Sequence, residues 1–297
     1  MPDVGAPGAG TLVGVLGGVG PLATVLFMER VVRLTDAARD QDHVDMVVLQ
    51  HATVPDRTAF VLGRSSDDPG PVLAADARRL AGAGAGFLVL PCNTAHAFAG
   101  AIAAATSVPL LSAVDVTVAA VLSCDAWTGR LSGPRPEAVG LLATEGTIAS
   151  GVYTDAFGAR GIKTLVPDVA GQATVTSLIY DSVKAGRGGD LTALDGVVAN
   201  LRLRGAEAIV LGCTELSVAA EATPPGLLPD VVLVDALDEL ARATVLRSGR
   251  RLRAEGGSST TAVDRDTHAL SGCPERAWRH EGRPTSASKA GRTSTVS

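Results

Sequence analysis

The chain has 297 residues, of which 46% are hydrophobic and 19% are charged, so it is long enough for one large globular domain or two ordinary ones. Its formal net charge of −5 argues against a nucleic-acid partner, because phosphate binding requires clustered Lys and Arg. Aromatic residues make up only 3% of the chain, which also argues against stacking of single-stranded nucleic acid. Small molecules are therefore the expected partners.

The four cysteines have no disulfide-like spacing, and no secretory signal stands at the start of the chain. This usage is typical of a reducing compartment, so we expect a cytoplasmic protein with free thiols. The apolar runs are far shorter than the roughly 20 residues that a membrane helix needs, so no membrane partner is expected.

The chain opens with a Gly/Pro-rich segment, residues 1–10, which predicts a flexible arm before the strand "TLVGVL". "GVGPLA" then follows and nominally fits the dinucleotide-binding pattern G-x-G-x-x-A. Its proline, and the lack of an acidic residue at the end of "DMVVLQH", argue against nucleotide binding. A tight turn that shapes a substrate pocket is the simpler interpretation.

Short apolar runs then alternate with segments of helical length along the chain, as in "DMVVLQ", "PVLAADARRLAGAGA", "GFLVLP", "AFAGAIAAAT" and "VPLLSAV". The second half continues with "EAVGLLA", "LTALDGVVANLRLRGA", "AIVLG" and "DVVLVDA". This alternation predicts an α/β fold with parallel sheets that are buried on both faces. From position 250 the chain becomes rich in Ser, Thr, Gly and Arg, which predicts a flexible segment over 250–297.

The two halves of the chain share a pattern of strand, small-residue turn and helix. From Gly14 to Cys92 is 78 residues (92 minus 14), and from Gly140 to Cys213 is 73 (213 minus 140). We therefore expect two similar Rossmann-like α/β domains related by a pseudo-twofold axis, with the active site between them. The predicted boundaries are 11–115 plus about 226–247 for the first domain and 116–225 for the second.

Each half delivers a cysteine to the end of an apolar strand, in "FLVLPCNTAH" and "AIVLGCTELS". Ligands of open α/β sheets bind at the carboxyl ends of the strands, so Cys92 and Cys213 are expected to face one cleft. Helix-like sequence follows both, and a helix N-terminus favours the thiolate. Two such groups on opposite sides of a carbon could remove a proton from one face and return one to the other, which inverts that carbon.

A lone buried cysteine is more often a core residue than a catalyst, but the matched pair favours catalysis. Cys124 and Cys273 lack this context and are assigned no role. His96 follows Cys92 by four residues, a spacing that could indicate a metal ligand or a base. Because no metal-binding cluster lies near it in the sequence, packing or support of the loop is the favoured interpretation.

Five motifs together resemble the cofactor-independent aspartate/glutamate racemase family, especially its aspartate racemase branch. They are "LGGVGPLAT" (16–24), "PDRT" (55–58), "PCNTAH" (91–96), "LLATEGTIASGVYTDAF" (141–157) and "GCTEL" (212–216). The resemblance covers roughly residues 11–245, and it implies no metal and no cofactor. It also implies a homodimer.

By this resemblance, Cys92 and Cys213 are the catalytic acid/base pair, each serving one enantiomer. Arg57 in "PDRT" and Lys184 in "YDSVK" would bind the carboxylates of an acidic amino acid. Further contacts with the substrate are expected from five polar residues near the cysteines and in the second turn: Asn93, Thr94, Thr144, Thr147 and Thr214.

The sequence therefore predicts a racemase that interconverts L- and D-aspartate, or glutamate, without pyridoxal. A related isomerase, of the maleate isomerase or hydantoin racemase type, is the nearest alternative. A catalytically silent protein that binds an acidic metabolite is an alternative from another class. Pocket contacts that differ by one methylene change affinity only modestly, so the sequence does not rank aspartate and glutamate.

Overall fold

Two parallel four-stranded sheets organise the chain in a computed structural model that describes residues 10–123, 135–223 and 232–254. The first sheet has the order β2-β1-β3-β4 and the second the order β6-β5-β7-β8, so the two halves repeat one topology. The strands are β1 (Val13–Gly17), β2 (Met46–Gln50), β3 (Phe87–Val89), β4 (Leu110–Leu111), β5 (Ala138–Leu142), β6 (Lys163–Leu165), β7 (Ala208–Leu211) and β8 (Val232–Asp235). The predicted fold class, including the duplication, is confirmed.

Helices connect these strands, as parallel pairing requires. In the first half they are α1 (Pro21–Leu34), α2 (Arg57–Val61), α3 (Pro69–Gly82), α4 (Ala99–Ala105) and α5 (Ala113–Leu122). In the second half they are α6 (Glu145–Ala149), α7 (Val152–Gly158), α8 (Val169–Thr176), α9 (Asp195–Leu203), α10 (Thr214–Glu221) and α11 (Ala236–Arg247). A π-helical segment, Ser177–Lys184, continues α8, and 3-10 turns span Asp40–Asp42, Thr94–Phe98 and Leu191–Leu194.

The central strands β1 and β5 are buried along their whole length, which explains their nearly unbroken apolar sequences. Each contains a glycine at a matching place, where a side chain of the neighbouring strand approaches closely. A Cβ on Gly14 would lie 2.8 Å from Leu88, and a Cβ on Gly140 would lie 2.5 Å from Ile209. The repeat seen in the sequence therefore extends to the packing of the two cores.

The last helix of each half crosses to the other half's core. Side chains of α5 pack in the cluster formed by β5, β7 and β8, while α11 packs against β1, β3 and α1. β8 pairs with β7 and so belongs to the second sheet. This corrects the expected assignment of residues 226–247 to the first domain, but only for the residues of β8. The domain division as a whole stays a prediction.

The predicted flexible ends lie largely outside the described residues, as do Cys124 and Cys273. Residues 250–254 are described, and they are held in place, which corrects the predicted boundary at 250. Leu252 forms an antiparallel bridge with Thr35, and the Arg253 N–H donates to the Leu34 carbonyl at 2.7 Å. None of the helices within the described ranges is both long enough and apolar enough to cross a membrane.

Candidate active site

Cys92 lies just past the carboxyl end of β3 and is only 7% exposed. His96 fixes the backbone of this loop. Its Nε2 accepts a hydrogen bond from the Ala113 N–H at 2.9 Å, so Nδ1 carries the proton and donates to the Cys92 carbonyl at 2.9 Å. Burial lowers the pKa of His96, which keeps the ring neutral. These contacts agree with the supporting role favoured from the sequence.

Cys213 lies at the equivalent place after β7, where it is the N-cap residue of α10 and is 4% exposed. Its Sγ donates to Glu215 Oε2 at 3.1 Å. Burial raises the pKa of the Cys213 thiol well above its ordinary value, and Glu215 raises it further, while Lys184 opposes them. The expectation that the helix end would favour the thiolate is therefore wrong for Cys213, because burial and the Glu215 carboxylate outweigh Lys184 and the backbone hydrogen bond that the helix end supplies.

Both cysteines line one cleft at the carboxyl ends of the strands. Eight of the nine residues singled out from the sequence line this cleft: Cys92, Cys213, Arg57, Asn93, Thr94, Thr144, Lys184 and Thr214. Four further residues line it that sequence reasoning had not selected: Val19, Asp56, Thr58 and Glu215. The roles of these residues toward a substrate stay a prediction.

Thr147, the ninth residue, belongs to a buried threonine cluster that joins the two halves. Thr94 Oγ1 lies 3.0 Å from Thr144 Oγ1 and 2.8 Å from Thr147 Oγ1, and the last two are 3.0 Å apart. Thr144 also caps α6, where its side chain accepts from the Thr147 N–H at 3.1 Å. The cluster therefore couples the Cys92 loop to the N-terminus of α6.

Asn93 is held from the second half as well. The hydroxyl of Tyr153 donates to Asn93 Oδ1 at 2.5 Å, and Tyr153 is fully buried. Burial raises the pKa of Tyr153, so its hydroxyl stays protonated and keeps donating. This bond fixes the rotation of the Asn93 carboxamide beside Cys92.

Arg57 opens α2, which Asp56 caps by accepting from the Ala59 N–H at 2.8 Å. One guanidinium nitrogen, Nη1, donates to the carbonyls of Val54 and Pro55 at 3.2 and 3.0 Å. The Arg57 Nε is buried and has no hydrogen-bond partner among the described residues. Because Arg57 lines the cleft and has an unpaired guanidinium N–H, the cleft is suited to an anionic ligand.

Lys184 ends the π-helical segment, and its side chain also lines the cleft. Its Nζ lies 3.7 Å from Glu215 Oε1 and 4.4 Å from the ring centroid of Tyr180. Burial lowers the pKa of Lys184, but the attraction of Glu215, Tyr180 and the two cysteines together outweighs it, and the net pKa is raised. The ammonium therefore stays charged at neutral pH.

A family model described as Asp/Glu/Hydantoin racemase matches residues 16–244. The chain therefore belongs to the Asp/Glu/Hydantoin racemase family. The broad specificity amino-acid racemase RacX of Bacillus subtilis (strain 168) is 27% identical over 240 residues, which cover 79% of this chain and 96% of the relative. The glutamate racemase of Geobacter metallireducens is 30% identical over 174 residues, which cover 56% of this chain and 59% of that protein.

Among solved structures, the aspartate racemase of Picrophilus torridus superposes with a TM-score of 0.66 at 28% identity. The match covers 82% of this chain and 96% of that chain. Membership in the racemase family, which the five motifs indicated, is thus confirmed. The similar proteins include both aspartate and glutamate racemases, so the comparisons do not single out one substrate.

Proposed function

We propose that this member of the racemase family interconverts L- and D-aspartate by a two-base mechanism in which Cys92 and Cys213 act on opposite faces of the α-carbon. The observation that carries the proposal is that both cysteines, from matching strand ends of the two halves, line one buried cleft. One sulfur takes the α-proton, and the other delivers a proton to the opposite face.

An amino-acid α-proton is far less acidic than a thiol, so the carbanion must be stabilised inside the cleft. Hydrogen-bond donors and cations that are already in place do this best, since they need no reorganisation during the reaction. Asn93, Thr94 and Thr214 lie beside the sulfurs and would bind the α-carboxylate and the ammonium. Thr144 and Thr147 orient Thr94 through the threonine cluster.

The proposal of an acidic substrate rests on Arg57 and Lys184, two cations at one cleft. A dicarboxylic amino acid brings two carboxylates, which match a fork-shaped guanidinium and an ammonium. Glutamate has the same charges and one more methylene, so it belongs in the first panel of substrates. A homodimer and a cytoplasmic location stay predictions.

The test is a chiral assay of the purified, reduced protein with separate L-amino acids in D2O, in which the D-enantiomer and α-deuterium are measured together. We expect D-aspartate that carries deuterium at the α-carbon. Replacing either Cys92 or Cys213 with Ala should lower racemisation roughly 10²- to 10⁴-fold or more, the range for a positioned acid or base. Circular dichroism of the variants checks that the fold is intact.

Full turnover by either single variant would refute the two-base assignment. If acidic and neutral amino acids all fail to racemise, the racemase proposal is refuted. Turnover of maleate with a trapped cysteine adduct would then identify a related isomerase. Aspartate binding without α-deuterium exchange would identify a binding protein.

A further inference from the structure

The Glu215 carboxylate, to which the sequence analysis assigned no role, contacts one of the two cysteines. Its side chain is buried among polar groups, with the residue 8% exposed. Oε2 accepts from the Cys213 thiol at 3.1 Å and from the Thr214 hydroxyl at 3.4 Å, while Oε1 faces Lys184 Nζ at 3.7 Å. The carboxylate thus bridges a sulfur and an ammonium inside the cleft.

The N-terminus of α1 meets the same carboxylate. Gly20 is the N-cap residue of this 14-residue helix, and a Cβ built there would lie 3.3 Å from Glu215 Oε1. Helix N-termini and ammonium groups both stabilise negative charge. Gly20, whose φ is 127°, therefore gives the carboxylate room at a place where the surroundings favour its charge.

Other titratable groups also surround Cys213. They come from α2, from the Cys92 loop, from α7 and from the π-helical segment, and they are Asp56, Arg57, Cys92, Tyr153, Tyr180 and Lys184. Burial and Glu215 raise the pKa of Cys213, and Lys184 lowers it, with a net increase. The thiol donates its hydrogen bond to the Glu215 carboxylate, while the Glu215 backbone N–H donates to the sulfur and lowers the pKa in part.

We propose that Glu215 is a positioning residue that keeps the proton on Cys213 in the substrate-free enzyme, so that Cys213 is the acid toward the enantiomer whose α-proton faces Cys92. The role of Cys213 as the acid rests on the proposed racemisation. The matching residue after Cys92 is Thr94, which has no charge. The two halves, alike in topology, therefore present chemically different sulfurs to the substrate.

In the proposed step Cys92 gains one proton and Cys213 loses one. The α-C–H bond breaks, its proton goes to Cys92, and the electron pair stays on the α-carbon. The Cys213 S–H bond breaks, its proton goes to the opposite face of that carbon, and the thiolate stays behind. Repulsion from Glu215 then favours return of a proton from water to Cys213 after the product leaves, while Cys92 releases its proton to water.

The test is a titration of Cys213 in the full chain with Cys92, Cys124 and Cys273 replaced by Ser. Ultraviolet absorbance measures the thiolate at each pH, and the same titration of the cysteine-free chain is subtracted to remove the tyrosines. We expect Glu215→Gln to lower the titration midpoint of Cys213 by about one pH unit or more. At a pH below the midpoint, this raises the fraction of thiolate about tenfold. Glu215→Asp should shift the midpoint less in the same direction, because the charge stays but the contact is lost.

Asp56→Asn is the matched control, since it removes an acid from the same cleft and still caps α2. It should leave the midpoint of Cys213 where it is. A midpoint that stays unchanged in both Glu215 variants overturns the proposal, and so does an equal shift in the control. If Glu215→Gln does not fold, Glu215→Asp decides alone. If the midpoint of Cys213 shifts as expected but the protein fails the chiral assay, the effect of Glu215 on the thiol is supported. Only the proposed racemisation is then refuted.

Discussion

At the scale of single residues, Arg57 offers a test of the proposed acidic substrate. Its Nη1 is held by two backbone carbonyls, while the buried Nε has no partner among the described residues. We expect Arg57→Ala to raise KM for aspartate roughly 10- to 100-fold, the loss of a charge-assisted hydrogen bond. KM for a neutral amino acid should change much less, as steady-state kinetics on both substrates would measure.

Arg64→Ala is the control for this prediction, because Arg64 is exposed and pairs with Glu145 on the surface. It should leave both KM values within about twofold. Equal losses on acidic and neutral substrates in Arg57→Ala would remove the role of Arg57 in binding the carboxylate.

The sequence predicted the residues at the strand ends and in the motifs, because parallel strands bring such positions together. It missed Glu215, although "CTEL" places a carboxylate in the first turn of a helix directly after Cys213. The contact depends on the side-chain rotamer and on room left by Gly20, which is 195 positions away (215 minus 20). The direction of the thiol pKa was missed for the same reason, since burial is a through-space property.

At the scale of elements, Arg30 ties α1 of the first half to α10 and β8 of the second. Nη1 pairs with Asp235 Oδ2 at 2.7 Å, and Nη2 pairs with Glu221 Oε1 at 2.9 Å. Asp235 also accepts from Ser217 Oγ at 2.6 Å and caps α11. Because α10 carries Cys213 at its N-terminus, this network also holds one side of the cleft.

We expect Arg30→Met to lower the free energy of unfolding by about 3–5 kcal/mol, because it leaves the largely buried Asp235 carboxylate without its ion pair. Chemical denaturation measures the change. Arg33→Met on the same helix is the control, since Arg33 pairs with Glu29 on the surface, and it should change stability by less than about 1 kcal/mol. Equal effects of the two variants would contradict a special role for the buried network.

The strands and helices were largely predictable from their apolar runs, because the central strands of both sheets are buried on both faces. The expected boundaries already placed α11 with the first half, whereas the packing of α5 against the second half was not predicted, since its apolar faces would suit either core equally well. The sequence around Arg30, "FMERVV", is typical of an amphipathic helix with an exposed arginine. Only the packing of α1 against the second half shows that this arginine is buried.

At the scale of the whole molecule, Glu239 in α11 makes stability depend on pH. It is 9% exposed, and its Oε1 has no hydrogen-bond partner among the described residues. Burial, with repulsion from Asp238, raises its pKa from 4.5 to about 8, against attraction from Arg242. At a pH between 4.5 and about 8, Glu239 binds more protons in the folded state than in the unfolded state. The free energy of unfolding therefore falls as the pH rises through this range.

We expect Glu239→Gln to stabilise the fold at pH 8 by on the order of a few kcal/mol and to have little effect near pH 4.5, where the glutamate is protonated in the folded state. Denaturant unfolding at both pH values measures the difference. Glu29→Gln, on the exposed surface of α1, should show no such dependence. A gain that is the same at both pH values would show that the variant acts by packing and not by removing a buried charge.

The unequal neighbours of the two sulfurs, Glu215 beside Cys213 and Thr94 after Cys92, have a kinetic consequence for the proposed reaction. Mirror-image amino acids have the same free energy in water, so their equilibrium ratio is fixed by the solution and not by the protein. The Haldane relation then requires equal kcat/KM for L- and D-aspartate. The asymmetry of the cleft can appear only as matched differences in kcat and KM, with the enantiomer that binds more tightly also turning over more slowly.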